Sequence, residues 1–222
     1  MVSPTLILFD CDGVLIDSEV ICGVVFAEML TKIGLPHTAE EATQRFLGLS
    51  GATATAIIEK DLGAPVPSWF KEETTARLAA AYAQELKEIP GISGLLKKLT
   101  TPVCVASSSS VKRLQVSLTH VGLYDHFAPN IFSAEMVAHG KPKPDIFLYA
   151  ARRMGFAPEN CIVIEDSING VLAARAAQMT CIGFTGGSHC GTDHASRLRD
   201  AGAAEIATDM TELKTLLSAR GL

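Results

Sequence analysis

Two aspartates stand two residues apart at the end of an unbroken apolar run, Leu6-Ile7-Leu8-Phe9-Asp10-Cys11-Asp12-Gly13. Four consecutive apolar residues read as a strand buried on both faces, the signature of a parallel sheet covered by helices. Side chains two apart on an extended segment point the same way, so the Asp10 and Asp12 carboxylates are expected to face one pocket where the strand leaves the sheet. Two such groups repel, and a cation or a proton must relieve them. Gly13 lets the chain turn away with no side chain in the site. Two further apolar runs end in polar groups: Val103-Cys104-Val105-Ala106 runs into Ser107-Ser108, and Cys161-Ile162-Val163-Ile164 into Glu165-Asp166. Between them Lys141 is fixed among prolines in Gly140-Lys141-Pro142-Lys143-Pro144-Asp145. Acids from two strands make a hard oxygen cage suited to Mg²⁺. Serines ahead of a helix N-terminus make a phosphate site, and an immobilised ammonium adds positive charge. Such a set wants an anion, and a phosphoryl group is the obvious one. Taken singly, each piece has a bland explanation: an acidic turn, a serine loop, a solvated lysine, helix-capping acids. Their order along the chain is what chance does not supply.

The elements that must position these groups alternate. After the first strand, helical spacing runs through Ile21, Val25 and Met29, with Asp17 or Ser18 as the expected cap and Gly34 and Pro36 as the stop. Short helices are predicted over Ala39–Phe46 and from the glycine turn at Gly48–Gly51 to Gly63. A long one, capped by Ser68, is predicted to reach Ile89. No strand is evident from Val20 to Glu88, so a helical insert follows the first strand directly. From Pro90 onward strands and helices alternate, with a fourth strand at Cys181–Phe184 and a terminal helix opened by a capping box of Asp209 and Glu212. Alternation of this kind predicts an α/β, doubly wound parallel sheet with right-handed crossovers. Ligands in such sheets bind at the carboxyl ends of the strands.

Composition narrows the function classes. The chain has 222 residues, is 48% hydrophobic and carries a net charge of −5. That is a globular balance with no basic footprint for nucleic acid. No apolar run is long enough to span a bilayer, and no signal peptide opens the chain, so no membrane partner and a cytoplasmic location are expected. Six cysteines (Cys11, Cys22, Cys104, Cys161, Cys181, Cys190) form no CxxC pair, and reduced thiols are expected. His189-Cys190 and His194 lack a further ligand at a usual spacing and read as a loop beside the site rather than a zinc centre. Lys112-Arg113 reads as a solvated helix face, and Trp69 as packing.

The ordered set resembles the haloacid dehalogenase (HAD) superfamily over the whole chain. Phe9-Asp10-Cys11-Asp12-Gly13-Val14 is similar to its first motif, Ser107 to its second, Lys141 to its third and Glu165-Asp166 to its fourth. The resemblance implies a Rossmann-like core of residues 1–16 and 89–222, with an all-helical C1 cap of residues 17–88. It implies that Asp10 is the nucleophile, forming an aspartyl-phosphate, and that Asp12, protonated at rest, is the acid and base. Mg²⁺ would sit on the Asp10 carboxylate, the Asp12 carbonyl and Asp166, with Glu165 helping directly or through water. Ser107, Ser108 and Lys141 would hold phosphoryl oxygens.

Asp17-Ser18-Glu19 and the Lys141–Asp145 stretch look like the branch containing β-phosphoglucomutase and many sugar-phosphate phosphatases, locally the 6-phosphogluconate type. The cap departs from the mutase: Cys22 stands where the mutase pattern has histidine, and Gly51 where it has arginine. A mutase must grip a distal phosphate with a cation. Gly51 cannot supply one, although Arg45 could, while Ser50 and Thr53 offer hydroxyls to a polyol. The expectation is therefore a Mg²⁺-dependent phosphatase of a small phosphorylated sugar, sugar acid or polyol, monomeric or weakly dimeric. A phosphomutase and a non-catalytic phospho-ligand-binding regulator are the alternatives.

Overall fold

The computed structural model describes residues 5–222; residues 1–4 of the expected core segment lie outside it. Six parallel strands form one sheet: β1 (Leu6–Phe9), β2 (Val103–Ser107), β3 (Ile131–Ser133), β4 (Cys161–Glu165), β5 (Thr180–Phe184) and β6 (Glu205–Ala207). Their spatial order is β3-β2-β1-β4-β5-β6, so the order reverses at β1, which pairs with β2 on one side and β4 on the other. That reversal opens a crevice at the carboxyl end of β1.

Strand alternation divides the core in two. Ile7, Phe9, Val105, Ile162, Ile164, Ile182 and Phe184 face one apolar layer, and Leu6, Leu8, Cys104, Ala106, Cys161, Val163 and Cys181 face the other. Both faces of β1 are fully buried, as the unbroken apolar run required. On the second face lie α8 (Asp145–Met154), α9 (Ile168–Ala176) and α10 (His194–Ala201), through Ile146, Phe147, Val171 and Leu198. On the first lie α5 (Ile92–Leu96), α6 (Val111–His120), α7 (Tyr124–Phe127) and α11 (Met210–Ser218), through Leu95, Leu118, Phe127 and Leu213. All six cysteines are free, and four of them are buried.

Four helices occupy the stretch between β1 and α5: α1 (Glu19–Lys32), α2 (Ala39–Phe46), α3 (Gly51–Leu62) and α4 (Phe70–Glu85). Helix α1 packs against both α2 and α4. The chain leaves and rejoins the sheet side by side: Asp17 N–H donates to Lys87 C=O (3.0 Å), Ile89 N–H donates to Leu15 C=O (2.9 Å), and Ile16 bridges antiparallel to Glu88.

Several expected boundaries move for identifiable reasons. Ser18 occupies the N-cap of α1 but makes no capping bond, because its hydroxyl is spent elsewhere, and Asp17 does not cap either. Helix α4 begins after Trp69 rather than Ser68, with Phe70 N–H bound to Pro67 C=O, and stops at Glu85 because Leu86 turns extended towards the return bridge. At α11, Asp209 accepts from the Thr211 and Glu212 amides as expected. Glu212 reaches back one residue further than a capping box, to the Thr208 amide. No helix is long and apolar enough to cross a membrane among the described residues.

Candidate active site

The turn after β1 is wound tightly, with the Cys11 carbonyl accepting from Leu15 (2.9 Å) and Ile16 (3.1 Å). Gly13 takes φ +74° within it, and a Cβ there would lie 1.8 Å from Asp166 Oδ2. Glycine is thus required twice, by the left-handed backbone and by the neighbouring acid. Asp10, Glu165 and Asp166 each bring a carboxylate oxygen within 4.8 Å of the others, all buried.

Lys141 is the hub of this acid cluster. Its Nζ lies 2.5 Å from Glu165 Oε1, 3.1 Å from the Ala106 carbonyl and 3.0 Å from Asp10 Oδ1, over the Phe147 ring. One ammonium therefore ties together the ends of β1, β2 and β4. Burial alone would pull its pKa down, but Asp10 and Glu165 raise it above the ordinary lysine value, so it stays charged. Burial pushes Asp10 well up, with Lys141 opposing and Glu165, Asp166 and Asp12 adding to the rise. Asp166 is raised in the same way, by burial first and then by Glu165.

Asp10 Oδ1 meets Lys141 as an ion pair but without hydrogen-bond alignment, and both it and Asp166 Oδ2 are buried without a hydrogen-bond donor. Three crowded acids with one ammonium, and two unsatisfied anionic oxygens, fit a hard divalent cation. Glu165 is the exception within the cluster. Its Oε1 serves Lys141, and its Oε2 accepts from the Ser167 amide (2.9 Å) and hydroxyl (3.0 Å), so it positions the lysine and the start of α9.

Asp12 departs from expectation. It accepts from Ser18 Oγ (2.5 Å), Ser109 Oγ (2.6 Å) and Arg113 Nη2 (2.7 Å). Burial would raise its pKa, yet Arg113 and the two hydroxyls outweigh burial and hold it below the ordinary aspartate value. Three donors around it favour the carboxylate form of Asp12, where the resemblance implied a protonated acid at rest.

The serines of this run have partners in the structure. Ser107 Oγ accepts from the Ser109 amide, Ser108 Oγ donates to the Gly48 carbonyl (2.9 Å), and Ser110 caps α6. The first amide of α6 goes to Glu135 (2.9 Å) and the third to Ser110, so two of the amides at this helix N-terminus are already bonded. Ser107 and Ser108 nonetheless line the cleft with Asp10 and Asp12. This cleft is open to solvent, and Phe26, Phe46, Leu47 and Leu49 form its apolar wall.

The three expected cap residues are not available in this arrangement. Arg45 pairs with Asp61 and lies near His37, outside the cleft lining. Ser50 and Thr53 hydrogen-bond each other (2.9 Å) while Ser50 caps α3, and neither lines the cleft. Trp69 is exposed against Phe70 and also lies outside that lining.

Residues not expected to matter crowd in instead. Arg113 does not lie on a solvated face: it enters the cleft, and its position at the third residue of α6 was the available signal, since helical side chains lean back over the preceding turn. Glu19 also lines the cleft, its pKa pushed up to about 8 by burial. The loop after β5 braces Asp166. His189 Nε2 lies 3.0 Å from Asp166 Oδ2, and His194 Nε2 donates to the Asp166 carbonyl (2.6 Å). His189, Cys190 and His194 bring their donor atoms within 4.8 Å of one another, closer than their sequence spacing implied. Burial lowers the pKa of both histidines. Asp17 anchors the same loop through the Ser188 amide (3.0 Å) and hydroxyl (2.8 Å).

A doubly wound sheet with paired aspartates after β1, serines after β2, a buried lysine and two acids after β4 defines a hydrolase of the phosphoryl-handling kind. Comparison with known proteins bears this out: a model of the haloacid dehalogenase-like hydrolases matches residues 4–178, and the chain belongs to that family. It is 31% identical over 184 residues to the 6-phosphogluconate phosphatase of Escherichia coli, covering 82% of this chain and 83% of that one. It is 30% identical over 180 residues to hexitol phosphatase B of the same organism, covering 79% and 81%. A solved haloacid dehalogenase-like protein of unknown function from Agrobacterium tumefaciens superposes with a TM-score of 0.83 at 40% identity, over 99% of this chain and 100% of that one. The protein is a phosphoric monoester hydrolase.

Proposed function

We propose that this enzyme is a Mg²⁺-dependent phosphatase of a small phosphorylated sugar, sugar acid or polyol, working through an aspartyl-phosphate on Asp10. The observation that carries the reading is the pairing of Asp10 with Lys141 at the foot of a cleft that also exposes Asp12. Residues 17–88 act as the cap and residues 1–16 and 89–222 as the catalytic core, working in the cytoplasm as a monomer or weak dimer.

An Asp10 oxygen attacks phosphorus and the bond to the ester oxygen breaks, leaving the phosphoryl group on Asp10. Asp12 gives a proton to the departing alkoxide, then takes one from the water that attacks the same phosphorus, which frees Asp10 and inorganic phosphate. Ser107 and Lys141 hold phosphoryl oxygens as charge redistributes between them. Asp12 must first exchange its Arg113 contact for a proton, so substrate arrival and acid competence are linked. Asp10, Asp166 and the Asp12 carbonyl would hold Mg²⁺, which supplies positive charge against the repulsion between nucleophile and phosphate.

A panel of phosphorylated sugars, sugar acids and polyols, assayed for phosphate release with Mg²⁺, tests the proposal. Release that Asp10→Asn abolishes supports it. Isomerisation primed by a bisphosphate would give the site to a mutase, and ligand binding without turnover to a regulator.

A further inference from the structure

We propose that Arg113 forms a second anion subsite in the cleft, which receives a carboxylate at the far end of the substrate and selects phosphorylated sugar acids over phosphorylated polyols. This rests on the phosphatase reading of the site and goes on to name its substrate class.

Arg113 is the one Lys, Arg or His lining the cleft among the described residues. The other candidates are committed elsewhere, Lys141 to Asp10 and Glu165, and Arg45 to Asp61. Both of its side-chain hydrogen bonds leave from one nitrogen: Nη2 reaches Asp12 Oδ1 (2.7 Å) and Cys22 Sγ (3.1 Å). Nε is buried and has no partner. A guanidinium offers five donors in a planar fork. This one has a single strong acceptor, because burial keeps Cys22 a thiol, its pKa pushed up to about 12, and a thiol accepts weakly. The Tyr82 ring, 5.4 Å from the guanidinium carbon, braces the group, and Tyr82 is itself buried.

An under-used, braced guanidinium beside a phosphoryl site suits a planar bidentate anion. A carboxylate fits better than a second phosphate. One guanidinium balances one negative charge, and Asp12 and Glu19 already line the same cleft, so a dianion there would be left uncompensated. The apolar wall of Phe26, Phe46, Leu47 and Leu49 supplies no other donor for a terminal group. An arriving carboxylate would compete with Asp12 for Nη2, so the proper substrate would itself draw Arg113 off the acid.

The competing explanation is a strap. Arg113 comes from the core and touches Cys22 on α1 and Tyr82 on α4, so it could simply hold the cap. The two roles separate by substrate. The probes are a phosphorylated aldonate and the hexitol phosphate of the same chain length, which differ only at the terminal carboxylate. Turnover is measured on wild type, Arg113→Gln and Arg113→Lys, and direct binding on Asp10→Asn with and without Arg113→Gln. We expect wild type to favour the aldonate by about tenfold or more, the scale of a charged hydrogen bond. The loss should appear in KM, the preference ratio should collapse towards one in Arg113→Gln, and Arg113→Lys should fall between. Binding to Asp10→Asn should show the same preference and the same collapse. No preference in wild type, or an equal loss on both probes in Arg113→Gln, would overturn the subsite and leave the strap. Tighter binding of a sugar bisphosphate than of the aldonate would overturn the carboxylate assignment. A binding preference that depends on Arg113, without turnover of either probe, would keep the subsite while removing the phosphatase reading.

Discussion

At Lys141 a single ammonium satisfies three strand ends, and its loss would leave Glu165 and Asp10 buried with no countercharge. Removing one partner of a buried pair costs roughly 3–5 kcal/mol. Lys141→Met should therefore abolish phosphate release and also lower the urea midpoint markedly, whereas Asp10→Asn should abolish release with stability retained or improved. The second half follows because burial already disfavours the Asp10 carboxylate. Equal destabilisation by both variants would contradict this account. The acids were legible in the sequence because strand periodicity fixes where a residue after an apolar run must stand, and Lys141 because it is framed by prolines between two such runs. Arg113 was read as solvated although its third position on α6 carried a signal, because the lean of a helical side chain over the N-terminus does not show that a cleft lies there. Arg45, Ser50 and Thr53, expected at the substrate, are held by local partners in this structure for a related reason. Local partners such as Asp61, and the capping needs of α3, compete for polar side chains before any substrate does.

At the level of elements, the Leu47–Gly48 turn between α2 and α3 is one place where the four-helix insert meets the core. Ser108 donates to the Gly48 carbonyl, and a Cβ on Gly48 would lie 2.4 Å from Ser167 Oγ, at φ +71°. Gly48→Ala should strain the turn by about 1 kcal/mol and push it off Ser167. The expected result is a several-fold rise in KM with thermal stability little changed, and an unaltered KM would show that this contact does not shape the cleft. Gly51, by contrast, has open space around its Cβ and lines the cleft, so Gly51→Arg should be accommodated. It should weaken hydrolysis and improve affinity for sugar bisphosphates, measured by competitive inhibition at one ionic strength. Unchanged bisphosphate inhibition would show that a cation at this position cannot reach the substrate. The predicted helices over Ala39–Phe46 and after Gly51 are found, as are four of the strands. Strands β3 and β6 escaped because three residues carry no readable alternation.

For the molecule as a whole, placing β1 at the centre of the sheet concentrates buried acids where the strand order reverses, and from this we expect stability to depend on pH and metal. Alternating apolar runs and helices made that architecture legible, but not the proton balance, which depends on burial. Asp10 and Asp166 are raised well above the ordinary aspartate value by burial first, and Glu19 from 4.5 to about 8, also by burial. A carboxyl raised in the folded state holds a proton that the unfolded chain has already released. Between the two pKa values the folded state binds more protons, so stability falls as pH rises. For Glu19 that window runs from 4.5 to about 8. On the proposed metal assignment, a divalent cation would bind the deprotonated oxygens of Asp10 and Asp166 and stabilise the fold by mass action, increasingly so as pH rises. The metal-free protein should therefore have a lower Tm at about pH 8 than at about pH 5, and millimolar Mg²⁺ should raise Tm more at the higher pH. Glu19→Gln should lift the metal-free Tm at the higher pH and leave it unchanged at the lower, because it removes only that group's share. Differential scanning calorimetry after chelation, across the two pH values and with Mg²⁺ restored, reads all of these outcomes. A Tm that stays flat with pH after chelation, or a Mg²⁺ shift equal at both, would mean that the acid cluster is neutralised by something other than protons and metal.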